Sequence, residues 1–262
     1  MSASPESFNW HTPPWAGGVA KYRLGLKPIE LNDWFSPISE ELLGYKRTLL
    51  DERYNDVVLV TEDSDESEKL LAQHFGCQRV PGYSYPDVIA HLSLQVADDL
   101  CLIEAHGHQR LLAASVCSPT YWNVKEKIGR SLAEIHQPVT SLEQKIGKKI
   151  ARAISNAPLL QPFERANWFV HSDSDRFHTE AEAVMPGEPD SWIVRSERET
   201  ICRFHDELAL FTINVRFAEL REIHHHPDAR ADMIKSLDLF DHDEIRYFGG
   251  LDKFRRLKEY LG

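Results

Sequence analysis

The chain has 262 residues, and its 41 aspartates and glutamates outnumber its 30 lysines and arginines, which gives a formal net charge of −11 at pH 7. An acidic chain lacks the basic footprint on which general nucleic-acid binding depends, so the charge argues against that class of function. No stretch approaches the roughly 20 consecutive apolar residues of a membrane span, and the N-terminus lacks the basic start and apolar core of a signal peptide. We therefore expect a cytoplasmic protein that binds neither nucleic acid nor a membrane.

Residues 1–35 combine prolines and glycines with aromatic side chains, among them Trp10 and Trp15. Disordered arms are poor in aromatics, so this stretch is predicted to be an extended segment that wraps the surface and is pinned there by indole rings. Helical patterns follow it. The first region, 1–99, is therefore predicted to be an extended and helical segment that packs on a core.

The core is predicted to span residues 100–222 and to begin with a hairpin, because two short apolar runs flank a glycine-containing loop. Short helices come next. Ser131 and Glu134 have the spacing of a capping box at one helix start. Pro138 blocks helix continuation, so His136 is expected at a helix end beside a rigid turn.

Three strands are predicted in the second half of the core, at about 163–172, 192–204 and 209–217, because apolar and β-branched residues recur there with a period of two. Residues 205–207 join the last two. The prediction is then an α+β fold with about five antiparallel strands. Two amphipathic helices follow in residues 223–262, and the three regions are expected to form one structural unit.

The predicted strand at 192–204 has charged and apolar residues on the same side, since Ile193, Arg195 and Glu197 alternate along it. Two interpretations stay open. The charges of a twisted strand can reach solvent, which fits how rarely Arg and Glu are buried. Alternatively, this side of the strand is the wall of a pocket, to which Arg216 of the following strand would also belong.

The four cysteines, Cys77, Cys101, Cys117 and Cys202, lie far apart with no C-x-x-C pair. This spacing does not support a zinc or iron–sulfur site built on them alone. Three of them fall within apolar runs typical of strands. We therefore predict buried free thiols.

Several collinear runs resemble the haem-dependent oxidative N-demethylase family. They are residues 115–119 with Trp122, residues 127–139, residues 165–168 and residues 194–200. The resemblance extends in the same order over residues 23–261. The closing run at 246–251 is similar to the family's Tyr-Lys-Gly stretch only in part, and the turn at 205–207 departs from the family's glycine-type turn.

The resemblance implies a Per-ARNT-Sim (PAS)-like, five-stranded antiparallel sheet that binds haem b. It also implies an enzyme that uses O2 to oxidise a methylated secondary amine, typically dimethylamine, to the demethylated amine and formaldehyde. Electrons would come from partner reductase subunits that carry FMN, a 2Fe–2S cluster and NADPH. This chain has neither the cysteine set for such a cluster nor a clear glycine-rich nucleotide loop, so it would be the haem subunit. The alternatives are a PAS-type haem sensor of gas or redox state without catalysis, and a degenerate member that scaffolds an assembly.

Within this resemblance His136 is the expected axial ligand of the haem iron. The Pro138 turn fixes its backbone, and the apolar stripe of the next helix would cover one haem face. His171 is the reserve candidate, and His205 is a third. The structural alternative for His136 is a buried imidazole that is hydrogen-bonded to a backbone carbonyl.

Arg195 and Glu197, two residues apart on one strand face, are the expected catalytic pair. Oxygen activation needs a donor for bound O2, and a methylammonium group needs a carboxylate that forms a charge-assisted hydrogen bond. Arg198 points to the opposite side and is expected either to reach a haem propionate or to close a structural ion pair. Arg165 and Arg216 are further candidates for propionate contacts.

Overall fold

The computed structural model describes residues 8–77, 81–137, 146–181 and 184–262. Within them the strands are β1 (Lys27–Pro28), β2 (Val58–Val60), β3 (Asp99–Glu104), β4 (Leu111–Ser115), β5 (Phe163–His171), β6 (Ile193–Arg203) and β7 (Leu208–Glu219). The helices are α1 (Glu40–Val57), α2 (Asp65–Phe75), α3 (Val88–Ser93), α4 (Leu132–His136), α5 (Lys148–Asn156), α6 (Pro227–Asp238), α7 (His242–Phe248) and α8 (Leu251–Leu261). No helix in these ranges has both the length and the apolar character that a membrane crossing requires.

The described strands form a single antiparallel sheet in the order β1-β5-β6-β7-β3-β4-β2. At its centre β6 and β7 pair along their length, from Ile193 opposite Glu219 to Arg203 opposite Ala209. The predicted hairpin is therefore confirmed. The alternation that predicted it runs through the 11 residues of β6, which is long enough to separate a period of two from a helical period.

The sheet has seven strands in the described part of the chain, where the sequence predicted five. The additional two are short and come from the N-terminal segment: β1 pairs with β5, and β2 pairs with β4. Strands of 2 and 3 residues cannot display a period of two, so the sequence pattern could not reveal them. The combination of helices with an antiparallel sheet is that of an α+β fold.

The two faces of the sheet belong to different apolar clusters. Leu102 of β3 lies in the cluster that contains Leu50 of α1 and Leu71 of α2. Its neighbour Ile103 lies in the cluster that contains Ile154 of α5. Consecutive residues of a strand point to opposite faces, so α1 and α2 cover one face of the sheet and α5 covers the other.

A third apolar cluster joins the N-terminal segment to the C-terminal helices. Trp15 is fully buried in it together with Trp168 of β5, Phe248 of α7 and Leu257 of α8. The Trp15 indole N–H donates a hydrogen bond of 2.7 Å to the carbonyl of Ala229. The predicted pinning by an indole ring is confirmed at this residue. After β7 the chain forms three helices, α6 to α8, where the sequence predicted two.

Helix α4 begins at the predicted capping box. The Ser131 hydroxyl accepts from the backbone N–H of Glu134, and the Glu134 carboxylate accepts from the backbone N–H of Ser131 at 2.8 Å. His136 is the last residue of α4, as predicted. Pro138 lies outside the described residues.

The four cysteines are free thiols. Cys101, Cys117 and Cys202 are buried, as predicted, and Cys77 is half-buried. Burial raises the pKa of Cys117 to about 12 and that of Cys202 to about 12. These thiols therefore stay protonated at neutral pH and behave as small apolar side chains.

Candidate functional site

A cavity of about 260 Å³ lies between the sheet and helices α4 and α5. Its apolar walls come from the sheet, from these helices and from the N-terminal segment. They include Ile103, Ile201 and Phe211 of the sheet, Ile135, Ile150 and Ile154 of the α4 and α5 region, and Tyr22, Leu24 and Leu26 of the N-terminal segment. A concave, mainly apolar space with a few polar groups is the usual form of a cofactor or small-molecule site.

Strand β6 supplies one charged wall of this cavity. Glu197, Glu199 and Ile201 all line it, because side chains two residues apart point to the same face of a strand. Glu197 is 6% exposed and Glu199 is 9% exposed. Glu197 and Glu199 therefore lie on a pocket wall, and the interpretation with solvated charges is wrong for these two carboxylates. Arg195 and Arg216, which the pocket-wall interpretation also included, are not among the described lining residues.

The Glu197 carboxylate accepts hydrogen bonds from two side chains and lies near a third, which is a cation. The Thr120 hydroxyl donates to its Oε1, and the Asn167 amide donates to its Oε2 at 2.9 Å. The Nε atom of Arg195 lies 3.9 Å from Oε1. A carboxylate can accept about four hydrogen bonds, so Glu197 is fixed in orientation and keeps acceptor capacity for a further donor.

Arg195 is completely buried, and most of its N–H groups point to backbone carbonyls. It donates to the carbonyl oxygens of Ser118, Pro119 and Arg176. It is not among the described residues that line the cavity. Its observed contacts therefore fix the loop that carries Thr120, and its guanidinium compensates the charge of Glu197.

Glu199 forms a second ion pair on the same wall. Its Oε2 lies 3.2 Å from Nε of Arg165, which also lines the cavity. Burial raises the pKa of the Glu199 carboxyl, and the positive charge of Arg165 opposes that shift. The two residues thus place a cation and a carboxylate next to each other at the cavity surface.

His136 lines the cavity from the end of α4. Burial lowers its pKa to about 4, and the positive charges of Arg165 and Lys127 act in the same direction. The imidazole is therefore neutral at pH 7. A neutral imidazole has a nitrogen lone pair, which is the form that binds a metal ion.

The other two candidate histidines lie elsewhere. His171 is fully buried and stacks on Tyr121, with 4.9 Å between the ring centroids. Burial, and then the charge of Arg195, hold the pKa of His171 far below its usual value. His205 lies in the turn between β6 and β7, where its Nδ1 accepts from the backbone N–H of Glu207. Neither is among the described lining residues, whereas His136 is.

Arg198 and Arg216 are also outside the described lining of the cavity. Arg198 is one residue away from Glu197, so it points to the opposite face of the sheet, where it pairs with Glu164 at 2.9 Å. It also donates to the carbonyl of Trp34 at 3.1 Å. Arg198 therefore forms a structural ion pair, which was one of the two roles expected for it. The Nε of Arg216 lies 3.4 Å from the Asn214 side-chain oxygen.

Sequence reasoning missed several polar residues of the site. Lys127 lines the cavity and is 8% exposed. Asn167 and Thr120 hold Glu197. Lys127 and Asn167 fall within the runs that carry the family resemblance, and Thr120 directly follows one of them, so those runs were the available signal. None of the three forms a local motif with its sequence neighbours.

Comparison with protein families identifies a match. The sequence profile of a protein family described as "Haem-dependent oxidative N-demethylase, alpha subunit-like" matches residues 28–256. The match spans all the site residues predicted from the sequence, and it begins after the N-terminal residues that line the cavity. No curated protein matches the chain.

Proposed function

The chain belongs to the haem-dependent oxidative N-demethylase alpha subunit-like family. From this premise we propose that it binds haem b in the cavity and removes a methyl group from a small secondary amine such as dimethylamine. The observation that carries the proposal is the presence in one cavity of a neutral imidazole, His136, and a buried carboxylate, Glu197. A neutral imidazole can bind the haem iron, and a carboxylate can bind a protonated amine.

The residues of the cavity fit a haem. His136 would bind the haem iron through a nitrogen, since its neutral imidazole has a free lone pair. The isoleucines of α5 and the sheet supply apolar walls for the macrocycle. Lys127 and Arg165 are the cationic lining residues that would pair with the propionates. Arg198 is not needed in that role, because its contacts lie on the other face of the sheet.

Glu197 is proposed to bind the amine. A small secondary amine is a cation at neutral pH, and a buried carboxylate binds it through a charge-assisted hydrogen bond that excludes competing water. Thr120 and Asn167 fix the orientation of the carboxylate. Arg195, which was expected to donate to O2, is instead proposed to act through Glu197 and the Thr120 loop.

The overall reaction is that of (CH3)2NH with O2, two electrons and two protons to give CH3NH2, HCHO and H2O. When bound, haem supplies the electron-transfer and O2 chemistry of this reaction. The chain's own residues hold the amine nitrogen at Glu197 and keep water away with the isoleucine walls. The two electrons are proposed to come from partner subunits with FMN, a 2Fe–2S cluster and NADPH, in agreement with a family described as an alpha subunit.

We also propose that β3 to β7 form a PAS-like core. These five strands are contiguous in the sheet, and the short helices lie between the second and third of them along the chain. The alternative function for such a core is a haem sensor of gas or redox state. A sensor of a neutral gas has no use for a buried carboxylate that is oriented by two hydrogen bonds and lies near an arginine, so the environment of Glu197 favours the enzyme.

Turnover of dimethylamine by the haem-loaded chain tests the proposal. With NADPH and the partner reductase supplied, we expect formaldehyde to accumulate with dimethylamine and not with tert-butylamine, which has no N-methyl group. NADPH oxidation without formaldehyde from any N-methyl amine would contradict the proposal.

A further inference from the structure

Lys21 is a buried lysine that lies beside the candidate amine site. It is 4% exposed, and it comes from the N-terminal segment rather than from the sheet. Its Nζ lies 3.8 Å from the centre of the Phe169 ring and 5.8 Å from that of Trp168. The residue is thus enclosed by aromatic rings, which leaves few polar partners for its ammonium group.

A short chain of hydrogen bonds joins Lys21 to Glu197. The Lys21 ammonium donates to the side-chain oxygen of Asn167, and the amide group of the same Asn167 donates to Oε2 of Glu197 at 2.9 Å. The amide therefore connects a cation on one side with a carboxylate on the other. A change of charge at Lys21 therefore affects Glu197 through Asn167, and a change at Glu197 affects Lys21 in the same way.

The charged groups that act on Lys21 come from several elements. Glu197 and Glu199 of β6 and Glu244 of α7 raise its pKa, and Arg165 of β5 lowers it. Burial is the largest effect, and it brings the pKa of Lys21 down to about 7. Near neutral pH, Lys21 therefore changes between a cation and a neutral amine.

A protonated amine at Glu197 would be a second cation on the same carboxylate. Like charges at short distance disfavour each other, so the bound substrate lowers the pKa of Lys21, and by thermodynamic reciprocity the proton on Lys21 weakens substrate binding. Lys21 does not line the cavity among the described residues, so it acts on the substrate through Asn167 and Glu197 and not by contact.

We propose that Lys21 is a positioning residue that competes electrostatically with the substrate for Glu197, so that binding of a protonated amine releases the proton of Lys21. This proposal rests on the proposed function, because it uses Glu197 as the amine site. It gives the site a built-in preference for pH values at which Lys21 is neutral and the amine is still a cation.

Calorimetric titration of dimethylammonium chloride into the haem-loaded chain tests the proposal. Comparison of phosphate and Bis-Tris buffers, which differ in ionisation enthalpy, gives the number of protons released for each amine bound. We expect release of roughly half a proton near pH 7 and close to one at about pH 6, with affinity falling by up to about tenfold for each pH unit below the pKa of Lys21.

Two substitutions at this position separate a charge effect from a structural one. Lys21→Met removes the competing cation, so we expect no proton release and about tenfold tighter binding than the native chain at pH 6. Lys21→Arg retains a cation that does not titrate, so we expect weaker binding at every pH and no proton release. A purely structural role predicts weaker binding for both variants.

The outcomes distinguish this proposal from the proposed function. If the native chain does not bind dimethylammonium at any pH, Glu197 is not an amine site and the role proposed for Lys21 is also wrong. If the amine binds without proton release, or if Lys21→Met leaves the proton release unchanged, the role of Lys21 is overturned and the amine site stands.

Discussion

His136 and Glu197 reach the same cavity from a helix end and from the middle of a strand. The surroundings of the two side chains differ. Burial and two nearby cations lower the pKa of His136 to about 4, whereas Glu197 accepts hydrogen bonds from Thr120 and Asn167. At the scale of single residues, the cavity therefore combines a neutral imidazole with a buried glutamate.

The role of His136 is tested by its substitution. We expect His136→Ala to abolish the histidine-type Soret band of the chain reconstituted with haem, because the iron loses its nitrogen ligand. His171→Ala is the matched control and is expected to keep the band, since His171 is outside the described lining. An unchanged spectrum in His136→Ala together with a lost band in His171→Ala would make His171 the ligand.

The role of Glu197 is tested by Glu197→Gln, which keeps the shape and removes the charge. A hydrogen bond to a charged group contributes about 1.5–3 kcal/mol, so we expect dimethylamine affinity, read from the perturbation of the haem spectrum, to fall by about 10- to 150-fold. Glu164→Gln is the control, because Glu164 pairs with Arg198 on the other face of the sheet. Equal losses in both variants would contradict a specific role for Glu197.

The burial of Lys21 also predicts how stability depends on pH. The pKa of Lys21 is about 7 in the folded chain, against an ordinary value of 10.5, so between these pH values the unfolded chain binds more protons. Stability conferred by this residue therefore rises with pH in that window and is lowest below it, with a slope of up to about 1.4 kcal/mol per pH unit. Lys21→Met should flatten this slope in denaturant unfolding between about pH 7 and 9. An identical slope in the variant would show that Lys21 keeps its ordinary pKa.

At the scale of elements, the N-terminal segment depends on its tryptophans for attachment. Trp15 is fully buried against Trp168 and the C-terminal helices. We expect Trp15→Ala to lower the free energy of unfolding by about 3–5 kcal/mol. Trp10, which is half-buried and stacks on His226, is the matched control, and Trp10→Ala should cost about 1 kcal/mol. Denaturant unfolding of both variants is the measurement, and similar losses would contradict the distinct role of Trp15.

The sequence predicted the elements that have a long hydrophobic alternation or that begin with a recognisable capping motif. β6 and β7 could be predicted because their alternation runs through 11 and 12 residues, and α4 because of its capping box. β1 and β2 could not, because they depend on the partners β5 and β4 rather than on a pattern of their own. These two strands form only because the folded chain brings them next to β5 and β4.

The same distinction applies to the site. Arg195 and Glu197 drew attention because charges on an otherwise apolar strand need an explanation, and the structure pairs them. Arg198 could be assigned to the opposite face from the period of two alone, but its partner Glu164 could not. Lys21 lies 146 residues from Asn167 in the chain, and no local signal connects the two.

At the scale of the whole molecule, the cavity is closed by a segment that precedes the family match. Tyr22, Leu24 and Leu26 line the cavity, whereas the match begins at residue 28. This part of the wall comes from the chain's own N-terminal segment. If the cavity binds the amine as proposed, this wall is expected to limit the size of the amine.

Leu24→Ala tests this inference. The lost methyl groups enlarge the cavity, and one methylene in an apolar pocket changes discrimination by about 10- to 200-fold. We expect the ratio of kcat/KM for N-ethylmethylamine, a larger amine that keeps one N-methyl group, to that for dimethylamine to rise by about tenfold. Leu31→Ala is the control, because Leu31 belongs to the same segment and is 47% exposed. An unchanged ratio in Leu24→Ala would show that the N-terminal wall does not select the substrate.

Strand β6 lies between β5 and β7, with Glu197 opposite both Asn167 and Val215. Because side chains alternate, deleting or inserting one amino acid in this strand would turn every later side chain onto the wrong face. The carboxylates would then meet the leucines under α1 and α2, and the buried apolar residues would enter the cavity. We expect related chains to vary here by replacement at constant length, with changes in length confined to the turns on either side.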